Sequence, residues 1–370
     1  MTIHDRATEY ILLNKDAEIM TFSCTRTEFD EPVFTENKWF SELRPIGYRG
    51  LEIFLERRKA PKHRKHIEAL LERYGCADLE GFLQVTHALS LNDTFWIKRV
   101  ESDLAWNDIS LYRNEFNELI SEAAFDGTIS ETDLSSTSPE FGTDGHYAKC
   151  WMREDDEIYL YKSGSSLHEI EPLSEYLASQ LAAILCPDAV SYDLAFHHGR
   201  LVSKCALFTT EQVGLAKAAA VFGGEQTMPA LLDYFAAIGS GDSFRRMCVL
   251  DALIYNPDRH YGNFGVLFDT DTMRPLGMAP VFDHNLSLFP QLDEEQLRHP
   301  DWYLQKCRPR LGRDFVRNAK GLLTPEIRTE LKELRDFRFQ QHPIISASQE
   351  RLDLLSSLVN RQVKRILDET

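Results

Sequence analysis

The sequence predicts an α+β protein in which strands concentrate before residue 210 and helices dominate after it. Several short runs up to Phe208 alternate apolar with polar residues, the two-residue period of a half-buried strand. From residue 211 onward apolar residues recur every three or four positions, the helical period. Within that helical half one hairpin pattern stands apart: apolar runs at 264–268 and 276–282 flank a turn-rich 269–275.

The first two strands are expected at 10–13 and 19–24. Residues 50–85 read as helices, with Leu51, Phe54 and Leu55, then Ile67, Leu70, Leu71 and Tyr74, at helical spacing. Residues 103–124 read as a polar loop followed by a short helix carrying Leu111, Phe116 and Leu119. The stretch 130–145 is rich in Ser, Thr, Asp and Gly and marks a boundary or mobile loop. Strands follow at 146–151 and 157–162, and a helix at 173–185 carries Leu177, Leu181, Ile184 and Leu185 on one face. Two more strands, 190–196 and 200–208, are joined by a His198-Gly199 turn. A helix over 243–255 places Phe244, Met247, Leu250 and Ile254 on one stripe. Pro257 ends it, because proline lacks an N–H and disfavours helix at Asn256. Two closing helices are expected at 325–340 and 347–368. The chain divides on this reading into an accessory region of mixed strands and helices (1–125), a strand-rich part (126–210) and a mainly helical part (211–370).

The residues bordering the hairpin carry the chemistry. Asn256-Pro257-Asp258-Arg259-His260-Tyr261-Gly262-Asn263 leads into it, and Asp283 follows its return strand. An antiparallel pair brings its open ends together, with facing Cα atoms roughly 5 Å apart. Asn263 and Asp283 can then grip one metal ion, while Asp258 sits on the feeding loop. Phosphoryl transfer needs that arrangement: one Asp to orient a hydroxyl, and an Asn and an Asp to hold magnesium between ATP phosphates. Asn-Pro-Asp is also ordinary turn chemistry.

Composition narrows the classes. The 370 residues suffice for two domains or one large two-lobed domain. With 43% hydrophobic residues a sizeable core is available. A formal charge of -17 argues against direct nucleic-acid binding and against an anionic membrane surface. The basic run at 57–65 reads as a solvated helix face. No apolar stretch of transmembrane length occurs, and the N-terminus lacks an apolar signal region. The seven cysteines are scattered with no Cys-x-x-Cys spacing, as expected of buried thiols in a reducing cytoplasm.

Asp-Arg-His-x-x-Asn, followed by an apolar strand and a second strand ending in Asp, resembles the catalytic and metal loops of phosphatidylinositol 3-/4-kinases. It resembles still more the HipA-type bacterial serine/threonine kinases, which share that fold. The clear match covers about residues 160–290, and Phe54-Leu-Glu-Arg-Arg58 with the helical run to Leu83 faintly resembles the N-terminal part of HipA proteins. The resemblance implies a two-lobed protein-kinase-like fold, with 126–210 as the small lobe, 211–370 as the large lobe and 1–125 as an added region. Strand, strand, helix, strand, strand is the small-lobe order. Asp258 would be the catalytic aspartate, His260 would help deprotonate the acceptor, and Asn263 and Asp283 would be the Mg2+ ligands. Lys162, ending a strand, would touch the ATP phosphates and Glu175 would pair with it, with Glu169 and Glu171 as rival partners. Gly142 and Gly145, in Phe141-Gly-Thr-Asp-Gly-His146, would cover the phosphates, or form a plain hairpin lead-in. Topology puts the adenine-reading hinge near 204–208.

The implied cofactors are ATP and Mg2+, the implied acceptor is a protein, and the implied partner is an antitoxin-like regulatory protein. Ser135 to Ser138 and Thr143 lie where such kinases carry a phosphorylatable serine, and equally where a polar linker would lie. Three other readings compete. A small-molecule phosphotransferase of aminoglycoside-kinase type uses a similar motif, commonly in His-Gly-Asp order. A metal-dependent hydrolase would use Asp258, His260, Asp283 and His284. A nucleotide-binding pseudokinase would act as a binding module.

Overall fold

The computed structural model describes residues 7–59, 78–127, 138–143, 147–165 and 170–368. Its mixed strands and helices form two compact units. One comprises Met1–Leu160, Thr209–Ala216 and Leu267–Pro275, the other Tyr161–Phe208, Lys217–Val266 and Leu276–Thr370. The chain passes between these units after residue 160, within a strand, and again after 208, 216, 266 and 275.

The first unit is built on an antiparallel sheet. β1 (Thr8–Asn14) lies between β2 (Ala17–Arg26) and β4 (Phe95–Arg99), and β3 (Pro32–Trp39) forms the edge beyond β2. β1 ends in five consecutive buried residues, because it is central in the sheet and covered on both faces. The expected strands at 10–13 and 19–24 are the cores of β1 and β2. β3 and β4 were not legible: β3 is mostly exposed and polar, and β4 has five residues. Helices α1 (Leu51–Glu56), α2 (Leu79–Thr86), α3 (Trp106–Ile109) and α4 (Glu118–Asp126) complete this part. Tyr10, Phe22, Phe82, Phe95 and Phe141 are buried together in its core. Most of the expected helical run through Ile67, Leu70, Leu71 and Tyr74, and the basic residues beyond Lys59, lie outside the described residues.

β5 (Lys149–Glu154) and β6 (Glu157–Ser163) form a hairpin in the sheet of order β5-β6-β8-β7. β7 (Asp193–His197) and β8 (Arg200–Ala206) are joined by His198 and Gly199, with φ of 49° and 76°. Two successive positive φ values suit the right-handed twist of a two-residue hairpin. Between β6 and β7 runs α5 (Glu171–Leu185), which buries Leu173, Leu177, Leu181 and Leu185. Ile184, expected on that face, is instead 46% exposed. A further strand, β9 (Val213–Lys217), pairs with β10 (Gly265–Asp269), and β10 with β11 (Pro275–Met278).

α6 (Ala218–Phe222), α7 (Met228–Ala237) and α8 (Gly241–Leu253) lead to the motif loop. Phe244, Met247, Leu250 and Ile254 are fully buried, as their spacing requires. α8 stops earlier than Pro257 dictates: Tyr255 turns to φ 51°, which breaks the helix. α9 (Glu294–Arg298), α10 (Asp301–Lys306), α11 (Phe315–Leu322), α12 (Pro325–Glu333) and α13 (Gln349–Leu367) close the second unit. The buried face of α13 carries Leu352, Leu355, Val359, Val363 and Ile366. No helix among the described residues is long and apolar enough to cross a membrane. Cys24, Cys150, Cys186, Cys205, Cys248 and Cys307 are free thiols.

Candidate active site

The hairpin departs from its expected form in one respect that shapes the site. β11 ends at Met278, not at Phe282. Pro280 has no N–H to donate to the ladder, so pairing with β10 ends at the Ala279 N–H, which reaches the Gly265 carbonyl at 2.9 Å. The chain then switches partner, and Val190 donates to the Val281 carbonyl at 3.0 Å. Asp283 therefore stands five residues beyond the strand, at a φ of 60°. That left-handed conformation is uncommon for a residue with a Cβ, though Asp tolerates it better than most. It is fixed by the Asp283 N–H, which donates to the Tyr192 hydroxyl oxygen at 3.0 Å.

Lys162 meets Asp283 here. Near the buried end of β6 its Nζ donates to Glu175 Oε1 at 2.9 Å and to Asp283 Oδ1 at 2.6 Å. Glu175 is fully buried in α5. Its Oε2 accepts from Ser203 Oγ on β8 at 2.7 Å, and its Oε1 also accepts the His284 N–H at 3.1 Å. Burial opposes charge on Lys162, but the two carboxylates outweigh it and hold the ammonium above its usual range. A buried carboxylate remains ionised only with such partners. Of the rival glutamates, Glu171 Oε2 instead accepts the Ser165 N–H at 3.1 Å, and Glu169 lies outside the described residues.

The motif loop is held from below by a second buried ion pair. Arg259 is 1% exposed. Its Nε and Nη2 donate to Asp251 of α8 at 3.0 and 2.9 Å. Its Nη1 donates to the Asn263 carbonyl at 2.7 Å and also to the Phe282 carbonyl. One guanidinium thus ties together α8, the motif loop and the segment bearing Asp283. Asn256 adds a second brace: its Nδ2 donates to Asp251 Oδ1 at 2.9 Å, and its Oδ1 accepts the Asp258 N–H at 3.0 Å. Asn263 Nδ2 donates to the Asp258 carbonyl at 3.1 Å.

Asp258 is left partly open. Its carboxylate approaches His260 Nε2 at 3.9 Å and Arg310 Nε at 3.8 Å, both beyond hydrogen-bond distance. His260 has its Nδ1 occupied by the Gly262 N–H at 3.0 Å. Asn263 and Asp283 supply hard oxygen donors of the kind magnesium takes. Among the described residues no group of three or more His, Cys, Asp or Glu could hold a metal, so a protein-only metal cage is absent there. Two oxygen donors fit a magnesium whose remaining positions come from phosphates and water.

The hydrolase set does not assemble. His284 is fully buried and its Nδ1 faces Arg259 Nη2 at 3.3 Å, while burial and the Arg259 charge push its pKa well down. Gly142 ends a 3-10 turn, Pro139–Gly142, in the first unit. A Cβ there would lie 3.1 Å from the Leu89 carbonyl oxygen and 3.4 Å from that of Arg58, so packing alone calls for glycine. Gly145 lies outside the described residues, as do Ser135, Ser136 and Thr137. Ser138 is buried, and Thr143 Oγ1 donates to the Pro139 carbonyl at 2.7 Å and accepts from Trp151 Nε1 at 2.9 Å. Neither of these two hydroxyls presents itself as a ready phosphate acceptor. At the expected hinge β8 ends at Ala206, and the Phe208 ring lies 5.7 Å from that of Phe282.

Arg259, Asp251, Asn256, Ser203 and Tyr192 were not legible as site residues. Arg259 lies inside the motif, but an arginine in a polar loop ordinarily reads as solvated. Asp251 did carry a signal, a lone carboxylate between Leu250 and Ala252 on an apolar helix.

No protein-family model matches the chain, and no curated protein matches it. Among solved structures it is similar to the Helicobacter pylori proinflammatory kinase CtkA, at 19% identity and a TM-score of 0.45, over 60% of this chain and 91% of that one. It is also similar to a chain of the Shewanella oneidensis MR-1 toxin–antitoxin complex of HipA, HipB and operator DNA. There the identity is 12% and the TM-score 0.48, over 97% of this chain and 98% of that one.

Proposed function

We propose that this chain is an ATP- and Mg2+-dependent phosphotransferase, a HipA-like serine/threonine protein kinase. One observation carries the reading: Lys162 is buried between Glu175 and Asp283, while Arg259 ties the Asp283 segment to the loop of Asp258 and Asn263. Lys162 would meet the nucleotide phosphates. Glu175, braced by Ser203, would keep Lys162 in place when Asp283, which shares the ammonium here, serves as a magnesium ligand with Asn263. Bound magnesium would neutralise phosphate charge as it develops. Asp258 would orient the acceptor hydroxyl and take its proton, as that oxygen bonds to the γ-phosphorus and the bond to the ADP oxygen breaks. His260, on the same loop, stands ready to assist that proton transfer.

A protein acceptor and an antitoxin-like regulatory partner belong to the same proposal. The purified chain should be incubated with γ-labelled ATP and magnesium, alone and with cell lysate, beside Asp258→Asn. Label on protein bands, lost in the variant, is the expected result. Label on small molecules only would favour the aminoglycoside-kinase reading. Nucleotide-dependent thermal stabilisation without transfer would favour the pseudokinase, and a protein that shows no transfer and no stabilisation would overturn the proposal.

A further inference from the structure

The segment from Lys306 to Lys320 opposes the character of the chain. It holds six cations (Lys306, Arg308, Arg310, Arg313, Arg317 and Lys320) against one carboxylate, Asp314, in a protein of charge -17. All six are exposed. Asp314 offsets one of these charges, and its carboxylate also caps α11 by accepting the Arg317 N–H at 2.9 Å. Lys320 pairs with Asp368, and Lys306 sits 3.6 Å over the Trp302 ring. Arg308, Arg313 and Arg317 make no ion pair among the described residues. Three unmatched arginines in a strongly acidic protein are not explained by solubility, which the excess of carboxylates already provides.

The strip is fixed in place. Phe315, Ala319 and Leu322 bury the inner face of α11, so Arg317 and Lys320 project from its outer side. Asn318 Nδ2 donates to the Leu311 carbonyl at 2.7 Å and so holds the preceding turn. Gly312 permits that turn: its φ is 73°, and a Cβ would lie 2.4 Å from Asn318 Oδ1. The strip also begins at the proposed chemistry, since Arg310 Nε lies 3.8 Å from Asp258 Oδ1.

We propose that this strip docks an acidic protein segment, so that the favoured acceptor is a serine or threonine flanked by Asp and Glu. The proposal rests on the kinase reading for its acceptor, but the docking can be read separately. A hydroxyl presented to Asp258 comes close to Arg310, whose exposed guanidinium lies 3.8 Å from that carboxylate and can meet the residues beside it. Arginine forks take carboxylates in paired hydrogen bonds, and a preorganised set loses little entropy in doing so. The acidic balance of the chain as a whole disfavours non-specific binding of an acidic segment, which sharpens the selection.

Three fluorescein-labelled serine peptides, with acidic, neutral and basic flanks, would be titrated by anisotropy and assayed with labelled ATP. The acidic peptide should bind about tenfold tighter than the neutral one, with the advantage shrinking as salt rises. Arg313→Glu/Arg317→Glu, at two exposed sites away from the catalytic machinery, should abolish that advantage and keep the wild-type melting temperature. Equal binding of acidic and neutral peptides would overturn the docking even if label is transferred to both. Binding through these arginines without transfer would uphold the docking and sink the kinase reading. Capture of a single-stranded oligonucleotide or of phosphatidylserine vesicles in place of the acidic peptide would also overturn it.

Discussion

Two buried arginines, one in each unit, show what the same interaction does in different surroundings. Arg58, 6% exposed, forks onto Asp93 at 2.8 and 3.0 Å and donates to the Ala88 and Phe95 carbonyls. Asp93 also accepts the Phe95 N–H at 2.9 Å, so that network closes on itself around the start of β4. Arg259 likewise has one carboxylate and two backbone carbonyls, with His284 Nδ1 in addition, but its carbonyls belong to Asn263 and Phe282. The neighbours of those peptides, Asp258 and Asp283, keep carboxylates at the edge of the network, 26% and 28% exposed. A buried guanidinium is costly unless every donor is used. Around Arg58 that requirement fixes a turn, and around Arg259 it fixes two acidic side chains at set positions.

The strongest way to break the comparison is to neutralise those two edges. Asp258→Asn or Asp283→Asn should lower phosphoryl transfer by about 10²–10⁴-fold in a chain that stays folded, although Asp283→Asn also takes one carboxylate from the buried Lys162. Asn is close in size and tolerates the positive φ of Asp283. Near-normal turnover in either variant would remove the site assignment. Next in size, Arg58→Leu and Arg259→Leu should each destabilise by about 3–5 kcal/mol, since each breaks a buried guanidinium's ion pair, with Asp251 buried and Asp93 half-buried. The difference lies in turnover per folded molecule, which only the Arg259 variant should lose. Denaturant titration beside a single-turnover assay separates the two, and equal loss of turnover would erase the distinction.

Ser203→Ala should remove one donor from Glu175 and cost about 1.5–3 kcal/mol, the scale of a hydrogen bond to a charged group. Weaker nucleotide binding with an unchanged pH profile would sharpen the view that Glu175 serves Lys162. The smallest effect concerns the first unit alone. Burial lowers the pKa of His87, partly offset by its bond to the Ile97 carbonyl at 2.8 Å. The unfolded chain then binds a proton more readily than the folded one, so stability is full above about pH 6.5 and falls as pH drops below it. His87→Asn, which suits the φ of 51°, should flatten that slope in denaturant midpoints compared at pH 7.5 and pH 5.5. An unchanged slope would mean that other groups set the acid response.

Local chemistry alone wrote much of this protein into its sequence. The apolar period of Phe244, Met247, Leu250 and Ile254 dictated α8, alternation dictated β1, β2, β6 and β8, and His198-Gly199 dictated the hairpin turn. The spacing of Asp258 and Asn263, with Asp283 beyond an apolar strand, marked the candidate site, while the pairing of Lys162 with Glu175 rested on the resemblance to HipA-type kinases, with Glu169 and Glu171 as rivals. Tertiary structure decided what depends on distant partners. β4 is a strand because β1 lies beside it, across some eighty residues that no local window spans. Ile184 lost the buried place its period suggested because the covered side at the end of α5 runs through Leu181, Ala182 and Leu185 instead. Pro280 was visible, but not that the chain would leave β10 for Val190 and carry Asp283 to Lys162. Above all, Arg259 could be known as a brace and not a solvated loop residue only after burial was known. A charge is stabilised by whatever surrounds it in three dimensions, and one chain position does not specify those surroundings.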